Sequence, residues 1–179
     1  MPKPYFYNHE VKINEIIRVD HAGEYGAKRI YQGQIDGASD KETKKVLHHM
    51  LEQELEHLSY FETQIENSQS RPTIFMPMWN VMGYMLGRLS IKLGKKSAMQ
   101  VTQAIEEVIV EHYQQQIDYL ESSKTGLELL DKIKQFKNDE AEHINVALNN
   151  GSNEVFLHRF YSDSIKQMCK IAIFLSKKA

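Results

Sequence analysis

One four-residue pattern occurs twice and constrains this chain more than anything else in it: Glu54-Leu55-Glu56-His57 and Glu140-Ala141-Glu142-His143. On a helix, a Glu and a His three positions apart share a face, about one turn from each other. Each copy follows a segment with a glutamate inside its apolar stripe, Glu24 before the first and Glu106 before the second. The spacing is 30 residues from Glu24 to Glu54 and 34 from Glu106 to Glu140. The chain therefore reads as two helical hairpins, each offering one lone Glu and one Glu-x-x-His.

Apolar periodicity places the helices. The first is expected over about Asn8–Ile35, with Ile13, Ile17, Asp20, Glu24, Ala27, Tyr31 and Gln34 on one face. Gly23 and Gly26 flank Glu24 and suggest close approach of a neighbouring helix. Ser39 or Asp40 is suited to cap the second helix, about Lys41–Glu66, whose stripe is Leu47, Met50, Glu54, His57, Phe61 and Ile65. A fourth over about Ala98–Leu120 turns Met99, Thr102, Glu106, Ile109, Tyr113, Gln116 and Leu120 inward. A fifth over about Gly126–Leu148 does the same with Leu129, Ile133, Phe136, Glu140, His143 and Ala147. A last segment, about Glu154–Lys178, is apolar in patches. No strand alternation is visible, so the expected class is all-α. At 179 residues the chain is sized for one domain, residues 1–179.

The third stretch differs. Thr73 to Leu86 carries no charge, and Arg88, Lys92, Lys95 and Lys96 follow it. A helix needs about 20 apolar residues to span a bilayer, and this run is shorter. It suits a crossover helix, a surface-lying amphipathic element with Trp79 and Tyr84 at headgroup level, or both.

Most glutamates lie off the stripes, among them Glu52, Glu56, Glu66, Glu121 and Glu128, and are expected in solvent. Glu24, Glu54, Glu106 and Glu140 lie inside them, with Glu106 fitting its stripe better than Glu107. Unpartnered ionised carboxylates inside a bundle cost several kcal/mol at least, and four together repel. Two divalent cations would bring four positive charges against four negative ones, with His57 and His143 filling neutral positions. This is the ligand set of ferritin-like di-metal carboxylate bundles. Carboxylate and imidazole without thiolate suit iron or manganese, and the single cysteine, Cys169, excludes a disulfide framework or a Cys-x-x-Cys site. His112 is a candidate to support the ligands. Asp139 is placed to accept a hydrogen bond from His57 across the bundle. Lys plus Arg total 22 against 24 Asp plus Glu, a balance that gives nucleic acid no footprint.

Beyond these patterns, Arg18-Val19-Asp20-His21-Ala22-Gly23-Glu24-Tyr25-Gly26-Ala27, then Arg29-Ile30-Tyr31 and Gly33-Gln34, resemble the N-terminal signature of the demethoxyubiquinone hydroxylases. Gln53-Glu54, His57-Leu58, Arg71-Pro72-Thr73, Pro77, Trp79-Asn80-Val81, Glu106-Glu107, His112-Tyr113 and Asp139-Glu140 with Glu142-His143 continue the likeness in order. One departure is Ile144, where the family pattern leads one to expect a second His. The resemblance implies a ferritin-like four-helix bundle with a crossover and a C-terminal helix added. It implies two iron ions on Glu24, Glu54, His57, Glu106, Glu140 and His143, some of the glutamates bridging. It implies hydroxylation, with O2, of the ring of a polyprenylated demethoxyubiquinol, with Tyr113 near the centre in a supporting role. It also implies peripheral attachment to the quinone-bearing membrane through about Ile74 to Leu86, and leaves room for a homo-oligomer or a biosynthetic complex. Met1 to Glu10 lack a signal or transit pattern, so the expected location is the cytoplasmic face of the cell membrane, or the matrix side of the mitochondrial inner membrane in a eukaryote. Ferritin-like iron oxidation or storage and another di-metal oxidase are the alternatives on this ligand set.

Overall fold

The computed structural model describes residues 5–68, 70–155 and 158–178. Among these residues six α-helices follow one another: α1 (Tyr5–Gly37), α2 (Lys41–Asn67), α3 (Met76–Lys92), α4 (Lys95–Ser123), α5 (Leu127–Asn149) and α6 (His158–Lys178), with a 3₁₀ turn at Ser152–Glu154. No strand occurs among the described residues, as expected. The helix ends move outward by one to three residues from the expected ones in most places. The last helix starts at His158, because Ser152–Glu154 form the short turn; residues 156–157 of the expected segment lie outside the described residues.

Local chemistry explains the boundaries. Asp40 caps α2, its Oδ1 accepting from the Thr43 N–H at 2.8 Å. Gly94, at φ 115°, makes the abrupt join between α3 and α4, a conformation a side chain disfavours. The α1–α2 and α4–α5 hairpins form the bundle. Two apolar clusters bracket its middle. Ile16, Ile17, Phe61, Tyr113, Leu120, Ile133 and Phe136 fill one end. Tyr31, Leu47, Met50, Met99 and Ala147 fill the other. The four in-stripe glutamates fall between these clusters, so apolar packing on both sides holds a polar centre in place.

Helix α3 packs on α1, and α6 on α4 and α1. Close approach of α1 and α3 occurs at Gly33, Gly83 and Gly87, and Gly83 lies against the Gly26 carbonyl. A Cβ on Gly87 would overlap the Ile30 carbonyl, and one on Gly33 the Tyr84 carbonyl. A Cβ on Gly23 or Gly26 would meet nothing within 4 Å. These two glycines thin the wall of α1 beside a cavity.

Trp79 also departs from expectation. It is buried, with its indole N–H donating to Ser176 Oγ at 3.2 Å, so it ties α3 to α6. Tyr84 hydrogen-bonds Asp36 at 2.8 Å and lies under Arg29. Outward-facing apolar side chains on α3 are instead Val81, Met82, Met85 and Leu89. No helix among the described residues is long and apolar enough to cross a membrane.

Candidate metal centre

Helices α1, α2, α4 and α5 each aim acids at one point. Glu24, Glu54, Glu106 and Glu140 are 3%, 1%, 3% and 1% exposed, and His57 and His143 are as deeply buried. They form two overlapping groups: Glu24, Glu54, His57 and Glu140, and Glu54, Glu106, Glu140 and His143. Within each group one ligand atom per residue lies within 4.8 Å of every other, a spacing able to hold a metal ion. Glu54 and Glu140 belong to both groups, whereas Glu24 and Glu106 each belong to one. Glu107, the competing candidate, pairs with Lys166 outside the centre. Glu52, Glu56, Glu66, Glu121 and Glu128 are exposed, as expected for off-stripe acids.

The two halves are related by a pseudo-two-fold pattern. His57 turns Nε2 to Asp139 Oδ2 at 3.1 Å, and His143 turns Nε2 to Gln53 Oε1 at 3.0 Å. With the proton on Nε2, the lone pair on each Nδ1 faces the acids. His57 Nδ1 lies 3.0 Å from Glu140 Oε1, and His143 Nδ1 lies 2.9 Å from Glu140 Oε2. Neither Nδ1 makes an aligned hydrogen bond, and Glu54 Oε1 and Glu140 Oε2 also lack partners. Buried acceptors facing acceptors are costly unless cations sit among them. That arrangement and the donor set both fit a pair of divalent ions.

The lone glutamates are served symmetrically as well. Tyr113 of α4 donates to Glu24 Oε1, and Tyr31 of α1 donates to Glu106 Oε1 at 3.0 Å. Each tyrosine lies seven residues after the glutamate of its own helix. That reciprocal pairing requires α1 and α4 to run antiparallel. The family resemblance put Tyr113 near the centre, and its hydroxyl reaches Glu24 on α1. Gln53 and the role of Tyr31 escaped sequence reading. The signals were present: Gln53-Glu54 parallels Asp139-Glu140, and Glu24 to Tyr31 repeats the interval from Glu106 to Tyr113.

Crowding shifts the metal-free ionisations. Burial, then repulsion from Glu140, raises Glu54 well above the usual carboxylate range. The same two causes push Glu106 up to about 8, against the opposing His143 charge and Tyr31 hydrogen bond. Burial also acts to raise Glu140, but the close approach of His143 and then His57, charged when metal is absent, outweighs it and holds it low. Burial would lower His57, yet Glu140 and Glu24 bring it to about 12. Without metal the centre holds protons that a binding ion would have to displace.

His112 does not touch the candidate ligands. Its Nε2 accepts from Gln116 Nε2 at 2.9 Å, and the same amide donates to buried Asp20 at 2.7 Å. Burial raises Asp20 well above its ordinary value despite that bond.

A cavity of about 430 Å³ opens between α1, α3, α4 and α6. Its walls are mostly apolar, among them Ile30, Met82, Leu86, Ile105, Ile165 and Ala172, and it also reaches all four glutamates. The histidines are not among its lining residues. The centre thus has an open side, formed by the lone-Glu helices, and a closed side, formed by the Glu-x-x-His helices.

A family described as "Ubiquinone biosynthesis protein COQ7" matches residues 11–176. The chain belongs to this family. Curated proteins similar to this chain include a "NADPH-dependent 3-demethoxyubiquinone 3-hydroxylase, mitochondrial" of Dictyostelium discoideum, 40% identical over 93% of this chain and 77% of that protein. A human protein of the same name is also 40% identical over the same shares. A "3-demethoxyubiquinol 3-hydroxylase" of Rhodospirillum rubrum is 40% identical over 93% of this chain and 78% of its own length. Membership agrees with the expected all-α bundle and with a buried centre able to hold metal.

Proposed function

We propose that this chain hydroxylates the ring of a polyprenylated demethoxyubiquinol in ubiquinone biosynthesis, as a di-iron monooxygenase using O2. Hydroxylation itself rests on the family and the names of its members. The carrying structural observation is the apolar cavity that ends on four buried carboxylates. A quinol with an isoprenoid tail needs such a space: apolar length for the tail and a polar end for the ring. Iron storage would be better served by polar outer helices than by the apolar faces of α3 and α6.

Ring hydroxylation inserts one oxygen atom of O2 into a C–H bond and releases the other as water, consuming two electrons and two protons. NADPH, named in several relatives, is the donor to test first. Glu24, Glu54, His57, Glu106, Glu140 and His143 would hold the irons, with Glu54 and Glu140 common to both groups. When bound, iron supplies the O2 chemistry that no side chain here can perform alone. Tyr113 and Tyr31 hold the outer carboxylates in orientation. The walls of α3 and α6 exclude water from the ring. Tyr113 retains its proton, because burial and then Glu24 raise it well above its ordinary value, so it serves as a donor.

The reading includes peripheral attachment to the membrane that holds the substrate. Ile74, Val81, Met82, Met85 and Leu89, with Phe160, Met168, Ile171 and Phe174 of α6, leave a large apolar surface exposed. Arg88 and Lys92 beside it suit anionic headgroups.

The test is iron-loaded protein with a short-tailed demethoxyubiquinol, NADPH and ¹⁸O2, followed by mass spectrometry. One ¹⁸O in the ring product is expected. Unlabelled product, or no product from protein shown to carry iron and substrate, would overturn the reading.

A further inference from the structure

We propose that the two metal positions are unequal, and that Asp139 and Gln53 make them so. The ion beside His57 is held more tightly than the ion beside His143. This rests on the di-metal reading above and goes beyond it.

The two positions share most of their donor types, which brings out the one difference in charge. The two shared glutamates serve both positions. Each outer glutamate accepts one tyrosine hydroxyl, from Tyr113 or from Tyr31. Each histidine turns Nδ1 inward and Nε2 outward. On the inner side both Nδ1 atoms lie against Glu140, with Glu24 3.7 Å from His57 and Glu54 3.2 Å from His143, all of them carboxylates; on the outer side the two partners differ in charge. His57 meets a carboxylate, Asp139 Oδ2, at 3.1 Å, whereas His143 meets a neutral amide, Gln53 Oε1, at 3.0 Å. Distance is matched, so charge is the variable. Both partners stand in the same place, immediately before Glu140 and Glu54 respectively.

A hydrogen bond to an ionised acceptor is roughly twice as strong as one to a neutral group. It draws the Nε2 proton outward and raises electron density at Nδ1, making that nitrogen the better ligand. Asp139 keeps 28% of its side chain exposed, which softens the contrast. An amide carries no charge at any exposure, so the contrast keeps its sign. Loss of such a supporting partner changes metal affinity on the order of 10- to 100-fold.

The experiment is an anaerobic Co(II) titration of the full chain, read by bound-metal analysis and Co(II) EPR. Two resolved steps are expected, their constants differing on the order of 10-fold or more. At one equivalent, an uncoupled mononuclear signal should dominate. Asp139→Asn should weaken the first step and bring the two together. Gln53→Glu should strengthen the second step. Glu24→Ala should remove the tight step, and Glu106→Ala the weak one. Circular dichroism checks each fold; if Asp139→Asn does not fold, Gln53→Glu decides alone. Two indistinguishable steps in the unaltered protein, or a step ratio untouched by the folded variants, would overturn the inequality and leave the di-metal centre standing. A folded chain that takes up no Co(II) at its buried acids would overturn the centre, and the inequality with it.

Discussion

Helices α2 and α3 solve opposite problems with the same rules. Helix α2 turns Leu47, Met50 and Phe61 inward and leaves Glu52, Glu56 and Glu66 in water. Helix α3 turns glycines inward, at Gly83 and Gly87, and leaves Val81, Met82, Met85 and Leu89 outside. Side-chain volume on the inner face of α2 fills the bundle. Its absence at Gly83 and Gly87, between buried Trp79 and Ile91, lets α3 backbone meet α1 backbone. The lesson is that apolar content does not locate a core: in α2 it marks the packed face, and in α3 it marks a face left for something else.

If the bundle holds the chemistry and α3 only roofs and docks it, variants should separate along that line. The largest effect belongs to the centre. Glu106→Ala should reduce hydroxylation to background while far-UV circular dichroism is nearly unchanged, because helicity rests on the apolar stripes. Turnover retained in that variant would remove Glu106 from the ligand set. Next comes the α1–α3 seam. Gly87→Ala drives a methyl group into the Ile30 carbonyl and should cost about 1–3 kcal/mol in urea unfolding. A variant as stable as the parent would show that this seam yields easily.

Removing metal should lower the melting temperature, since clustered carboxylates lose their counter-ions. The metal-free protein should also show a particular pH dependence. Glu106, raised by burial and Glu140 from 4.5 to about 8, contributes stability that is present below 4.5 and lost as pH rises to about 8. Glu54 has the same sign, and so does His57 above 6.5. Glu140, held low, acts oppositely, but only in acid. Melting temperature should therefore fall by about 5 °C or more from pH 5 to pH 8 without metal, and change less with it. A rise over that range would contradict the proton-storing centre.

The roof should respond differently. Replacing Val81 and Phe174 by Ser should weaken binding to anionic vesicles about 10-fold, while turnover of a water-soluble, short-tailed substrate stays within about twofold. Equal losses in both assays would mean that these side chains shape the cavity and not a docking face. Smallest of all, Glu52→Gln should change stability by less than about 0.5 kcal/mol, as for any solvated acid.

Much of this was legible along the chain because it is periodic. A stripe repeats every three or four residues, and a glutamate inside a stripe must be buried wherever the helix packs. So Glu24, Glu54, His57, Glu106, Glu140 and His143 could be picked out from their spacing, and Asp139 placed opposite His57. The partners of Tyr113, Tyr31 and Gln53 could not. Each lies on another helix, and only the antiparallel arrangement of α1 against α4 and of α2 against α5 decides which group faces which. Trp79 shows the same limit: an indole suits a membrane interface, but here it is buried with its N–H on Ser176 near the end of α6. The sequence by itself determined the helices and which acids had to be hidden. Tertiary structure alone decided which hidden acids are shared, which nitrogen faces which acceptor and where the cavity opens, because those depend on distances between segments that are remote along the chain.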